Sequence, residues 1–273
     1  MRKFSRIFVI TLLSVMLMTA CAAGEGVEQE KDYGVFLSID ASEMHKLEGY
    51  RTVVIDAQYF SADDIETLHE NQTTVYTYLN IGSIESFREY YEEYRDITLG
   101  EYVNWEEEQW VDVSDVQWQQ FMRELAVSLS EKGVDGFFID NCDVYFHYPD
   151  EEIFSGLTVI LKSIMALEKA VVINGGETYI TAYRQTHGSA GDIMTAVNQE
   201  EVFSSYDFER ASFGRNTEEE QAYFSEYVEA CKADGMEVYL LEYTTDKALI
   251  AEIQAYCGEK GFRYYIADSI ELD

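Results

Sequence analysis

The sequence predicts an α/β chain folded as a single (β/α)8 TIM barrel, on three observations. Eight short apolar segments of strand composition recur along it, stretches of helical period separate them, and no proline- or glycine-rich boundary divides the chain. The only proline among 273 residues is Pro149. Most of the apolar segments are unbroken runs, as a sheet covered on both faces requires. An open doubly wound sheet, built from the same alternation, is the runner-up.

In chain order the strands are expected at GVFLSI from residue 34, TVVID from 52, TVYTYLNIG from 74 and GFFID from 136. AVVIN from 170, DIMTAVN from 192, EVYLLEY from 237 and FRYYIAD from 262 complete the set. Ser61 offers capping chemistry to a helix through DDIETLHEN, with Asp63 and Asp64 on its first turn. Between 115 and 132, Phe121, Leu125 and Leu129 recur every four residues, and Gly133 stops the pattern. Segments 153–167, 217–234 (closed by Gly235) and 246–260 (closed by Gly261) repeat it. The longest irregular stretch is expected over 83–114, and loops of that size on a compact scaffold are usually functional. It carries Trp105, Trp110, Tyr90, Tyr91, Tyr94 and Tyr102, flat faces of the kind on which sugar rings pack.

The N-terminal end reads as a leader. Arg2, Lys3 and Arg6 precede an apolar core, and Thr19 and Ala20 lead to Cys21. Leu17-Met18-Thr19-Ala20-Cys21 resembles a bacterial lipobox, which implies a lipoprotein signal peptide over 1–20 and a lipid on Cys21. The expected organisation is therefore an exported protein, anchored to the outer face of the cell membrane, with a flexible tether over 21–32 and the barrel over 33–273. The formal net charge is −33, and removing three positive charges with the leader takes it to −36. Such a field repels nucleic acid and attracts cations.

Beyond Cys21 only Cys142, Cys231 and Cys257 remain, too few for a disulfide framework; Cys231 and Cys257 can pair only if their helices are neighbours. His45, His69, His147 and His187 are scattered, without metal-ligand spacing, so no metal is expected. The Gly175-Gly176 pair lacks the dinucleotide fingerprint, and no cofactor is expected.

The apolar run Phe137-Phe138-Ile139 ends abruptly in Asp140, Asn141 and, two places on, Asp143. In a parallel barrel such a tip lies where catalytic groups gather. Nine carboxylates share that position by sequence: Asp40, Asp56, Asp140, Asp143, Glu177, Glu200, Glu201, Glu242 and Asp268. Position alone does not choose among them.

A resemblance does choose. In YLNIGSIESFR (78–88), QWVDV (109–113), DGFFIDNCDVY (135–145), NQEEVFSSY (198–206) and MEVYLLEY (236–243), the chain resembles the endo-alpha-1,4-polygalactosaminidase family of glycoside hydrolases. The likeness runs over residues 33–270. It implies a TIM-barrel hydrolase with Asp140 and Glu200 as the catalytic carboxylates; we assign Asp140 as nucleophile or its stabilising equivalent and Glu200 as acid/base, with Glu201 the neighbouring candidate for the second role. Asn141, Asp143 and Tyr145 would orient the sugar, with Asp56, Tyr78 and Glu85 behind them; Glu242 and Tyr243 would close the cleft. Arg88 would join this tier or brace the loop through Glu85 or Asp112. The implied partner is a cationic aminosugar polymer. A surface carbohydrate-binding lipoprotein without turnover and a hydrolase of another polysaccharide are the alternatives.

Overall fold

The computed structural model describes residues 31–273; the leader over 1–20, Cys21 and the tether as far as residue 30 lie outside the described residues. Eight strands run side by side in chain order: β1 (Gly34–Phe36), β2 (Thr52–Ile55), β3 (Thr74–Asn80), β4 (Gly136–Asp140), β5 (Ala170–Asn174), β6 (Ala196–Glu200), β7 (Glu237–Tyr243) and β8 (Arg263–Ala267). Every neighbouring pair is parallel. Between β8 and β1 the seam is closed by other means. The Leu37 and Ser38 amides donate to the Leu272 carbonyl at 2.9 and 3.3 Å, and the Phe36 and Tyr265 rings meet at 5.5 Å.

Six longer helices cover the barrel: α1 (Ala62–Glu70), α2 (Val116–Glu131), α3 (Glu151–Met165), α4 (Glu177–His187), α5 (Glu218–Ala233) and α6 (Lys247–Lys260). Ser61 and Thr217 build capping boxes with Asp64 and Glu220, so the local sequence sets where α1 and α5 start. The period-two alternation of the strands sorts their side chains into two layers. Phe137, Ile139, Val171, Ile173, Val197 and Leu240 pack outward beneath the helices. Tyr76, Tyr78, Phe138, Val172, Ala196, Tyr239 and Leu241 fill the interior. Two places beyond Phe138 and Val172, and four beyond Ala196, the same inward series reaches Asp140, Asn174 and Glu200.

Several local expectations change. The stretch over 83–114 holds a three-stranded antiparallel sheet of Ser83–Glu85, Thr98–Glu101 and Glu108–Val111. A second hairpin, Ser204–Asp207 with Ser212–Arg215, follows β6. α2 buries Trp118, Met122, Ala126 and Leu129, leaving Phe121 and Leu125 half-buried. The cause is Trp118, whose indole N–H donates to the Ile81 carbonyl at 2.9 Å and fixes the helix's rotation. Most of the aromatics of the insertion are packing groups: Trp110 and Tyr94 are buried, and Tyr90 packs on Trp118 and Phe121. Cys142, Cys231 and Cys257 are free buried thiols, so Cys231 and Cys257 do not pair. Among the described residues no cluster of three or more metal-ligating side chains occurs, and no helix is long and apolar enough to cross a membrane.

Candidate active site at the barrel mouth

Asp140 and Glu200 project inward from the tips of β4 and β6, and Asn174, from the tip of β5 between them, joins the two. Its side-chain amide donates to Asp140 Oδ1 at 2.9 Å and to Glu200 Oε1 at 2.7 Å. The two oxygens can therefore be no farther apart than those bonds laid end to end, about 5.6 Å. The amide's orientation is determined by its neighbours. Asn198 Nδ2 donates to Asn174 Oδ1 at 2.7 Å, and Tyr33 donates to Asn198 Oδ1 at 3.2 Å, so Asn174 must turn its N–H bonds toward the carboxyls. Each carboxyl also receives a phenol: Tyr78 donates to Asp140 at 3.0 Å and Tyr243 to Glu200 at 2.6 Å.

Burial dominates the electrostatics. It pushes Asp140 up to about 8, helped by the charge of Glu200, while the bonds from Asn174 and Tyr78 oppose the rise. Burial raises Glu200 too, against the bonds from Tyr243 and Asn174. Two carboxyls sharing one donor between them titrate as a unit. Burial of both therefore favours keeping a proton on the pair, which is what acid/base chemistry on two carboxyl groups requires.

The other expected residues divide into those at the mouth and those elsewhere. Asn141 stands in a left-handed conformation, φ 65°, and its amide donates to Ser83 Oγ at 2.7 Å and Glu108 Oε1 at 2.9 Å. Gly82 is what permits this. A Cβ there would lie 1.7 Å from the Asn141 carbonyl oxygen. Asp143 accepts from the Gly176 amide at 3.0 Å, and burial lifts it to about 6. Asp56 and Glu85 are both taken up by Arg88, at 2.6 and 3.0 Å, in a buried three-charge cluster under the Tyr78 ring. Asp112 instead accepts from Ser114, so the bracing of Arg88 runs through Glu85 and Asp56.

Two residues expected at the cleft are not brought there. Tyr145, on the short helix Val144–His147, packs in the helical layer, 5.6 Å from Phe154 and 6.1 Å from Tyr179. Glu242 is fully buried on the outer side of β7, where it accepts from the Val202, Phe203 and Ser204 amides and the Ser204 hydroxyl. It anchors the loop that leaves β6. Glu201 begins that loop at φ 53°, one carboxylate oxygen buried without a partner, and burial with the charges of Glu200 and Glu242 raises it to about 7. Of the remaining strand-tip carboxylates, Asp40 caps a 3-10 helix, Glu177 bonds Thr181 and Tyr223, and Asp268 is exposed.

Asn174, Asn198, Asn80 and Glu108 were not singled out by the motifs. Glu108 reaches the site from the inserted sheet, where Asn80 and Asn141 donate to it at 2.8 and 2.9 Å and Ser83 also donates. A hollow of about 530 Å³ lined by Asp32, Arg51, Thr52, Gln72, Thr74 and Arg263 opens at the opposite, N-terminal end of the strands. That end of a parallel barrel serves stability.

The comparisons with known proteins bear on the family and the barrel fold. The description of glycoside-hydrolase family GH114 matches residues 23–272. The fold is similar to that of the glycoside hydrolase domain of PelA from Pseudomonas aeruginosa, with TM-score 0.70 and 15% identity over 89% of this chain and 96% of that one. Ega3 from Aspergillus fumigatus, solved in complex with galactosamine, is similar at TM-score 0.68 and 15% identity, over 89% of this chain and 93% of that one. An alpha-galactosidase from Thermus thermophilus shares the barrel at TM-score 0.59 and 8% identity, over 86% of this chain and 57% of that one. No curated protein matches.

Proposed function

The chain belongs to glycoside-hydrolase family GH114, and from that premise we propose that it cleaves alpha-1,4 linkages in a galactosamine-containing polysaccharide, with Asp140 as nucleophile and Glu200 as acid/base. The observation that carries this reading is the Asn174 bridge. Carboxyl groups about 5 to 5.5 Å apart suit a retaining displacement, whereas about 6.5 to 9.5 Å leaves room for water and inversion. Two oxygens held on one amide support the first spacing. Asp140 attacks the anomeric carbon while Glu200 protonates the departing oxygen. Glu200 then takes a proton from water as that water breaks the glycosyl ester on Asp140.

The roles require Asp140 to be ionised when it attacks, although burial favours its neutral form in the free protein. An aminosugar supplies the missing charge. Its ammonium sits on the carbon next to the anomeric centre, so its field ionises the carboxyl facing that centre and leaves the proton of the pair to Glu200. Support for this substrate class also comes from Ega3, whose structure holds galactosamine. Incubating the protein with polygalactosamine should release new reducing ends, with none from neutral glucans. Release from glucans alone would reassign the substrate.

The lipobox supports export and attachment through Cys21 to the outer face of the membrane. An acyl pair adds the buried methylenes that hold a protein at a bilayer. Cys21→Ala should move the protein to the soluble fraction; membrane retention equal to that of the wild type would defeat the anchor.

A further inference from the structure

Two excursions from the barrel meet above the catalytic pair. One is the hairpin of Thr98–Glu101 and Glu108–Val111, inserted after β3, with Trp105 in its turn. The other is the hairpin of Ser204–Asp207 and Ser212–Arg215 after β6, with Phe208 at its tip. The Trp105 and Phe208 rings lie 6.0 Å apart, edge to face at 76°. β3 and β6 stand three places apart in the sheet, so a contact between their excursions has to pass over the ends of β4 and β5. Asp140, Asn174 and Glu200 occupy the tips of β4, β5 and β6.

Both rings remain open to solvent. Trp105 is 43% and Phe208 41% exposed, while Trp110 and Trp118 are buried. They are nevertheless held in place. Trp105 N–H donates to the Tyr102 carbonyl at 3.1 Å, the Glu108 N–H donates to the Trp105 carbonyl at 3.0 Å, and the Tyr102 ring stands on Trp110 at 4.3 Å. On the other side, Phe208 packs edge to face on Tyr206 at 4.9 Å, and Tyr206 on Phe213 at 5.7 Å. The base of the first hairpin is close to the chemistry: besides burial, the charges of Asp140, Glu108, Asp143 and Glu200 all raise the Tyr102 hydroxyl. Beside Trp105, Glu106 and Glu107 are exposed.

We propose that Trp105 and Phe208 form a sugar-binding platform over the mouth of the barrel, taking one aminosugar residue of the polymer away from the scissile bond. The C–H face of the ring packs on the exposed aromatic surface, and its ammonium finds the rings' negative faces and the Glu106 and Glu107 carboxylates. The proposal rests on the reading of the chain as a hydrolase of an aminosugar polymer. It adds a site that the catalytic residues do not include.

Trp105 is the one exposed tryptophan of the chain's three, which makes its emission a direct reporter. Titrating the Glu200→Gln protein with galactosamine oligomers should shift the tryptophan emission, and adding Trp105→Phe should abolish the shift. In active protein, Trp105→Ala and Phe208→Ala should each raise KM by about 3- to 10-fold on long oligomers, the worth of one ring contact. The loss should shrink as the oligomer shortens. An unchanged emission spectrum on titration, or a loss equal at every oligomer length, would overturn the platform. If wild-type protein cleaves no galactosamine polymer yet the emission shift is present, the platform stands and the substrate reading fails.

Discussion

Asn174 gives its amide hydrogens to two carboxyls, and Asn198 decides which way that amide faces. The spacing of the carboxyl pair is thus a property of three residues on β4, β5 and β6, each held by a rigid strand. Asp140→Asn and Glu200→Gln keep shape and remove one carboxylate, so each should fold normally and lower kcat by orders of magnitude. Azide should rescue one and not the other, and the configuration of its adduct assigns the nucleophile. Full activity in Glu200→Gln would shift the second role to Glu201. The pH profile follows from the shared proton. The free pair must hold one proton, and since burial and the charge of Glu200 raise Asp140 to about 8, kcat/KM, which follows the free protein, should fall as pH rises through that value. Rates still climbing above about pH 9 would contradict this. At this scale the strand-tip placement of Asp140 and Glu200 was legible from the apolar runs that they end, but position left nine carboxylates open and only the family resemblance chose these two. Asn174 was not legible, since an asparagine ending AVVIN also reads as an ordinary turn residue.

At the scale of elements, the tip of β6 depends on buried carboxyls whose neutral forms the fold favours. Burial raises Glu201 and Glu242 each to about 7, with the charge of Glu242 adding to the rise at Glu201. A group whose folded pKa lies above its unfolded value contributes stability that is complete below the unfolded pKa. That stability is lost as pH rises through the folded pKa. The urea midpoint should therefore decline between about pH 5 and pH 8, and Glu201→Gln should flatten the decline by something of order 2 kcal/mol. A midpoint that rises over that window would show that these groups are ionised without cost. The strands and most helices here were readable from apolar runs and caps. The inserted sheet was not: its Thr98–Glu101 strand alternates half-buried and exposed residues with no apolar run to announce it. Helix α4 was missed for a related reason, since two of its buried residues, Tyr179 and Tyr183, are tyrosines that read equally well as surface groups.

The whole molecule carries a formal charge of −33, or −36 without the leader, and Arg88, which lies against the Tyr78 ring, is already matched by Asp56 and Glu85. A polycation approaching the mouth therefore meets a large excess of negative charge. Long-range attraction of this kind raises the encounter rate and the local concentration of substrate, and it leaves the bond-breaking step alone. Salt screens exposed charges beyond about 8 Å at physiological ionic strength, but it reaches the buried pair much less. Raising the salt from about 0.02 M to 0.5 M should consequently raise KM for a galactosamine polymer several-fold while kcat changes little. A fully N-acetylated, neutral polymer run in parallel should show no such dependence if it is cleaved. Equal KM at both salt concentrations for the cationic polymer would remove steering from the account and leave the acidity to solubility alone; a fall in kcat with unchanged KM would place the salt effect on the carboxyl pair itself.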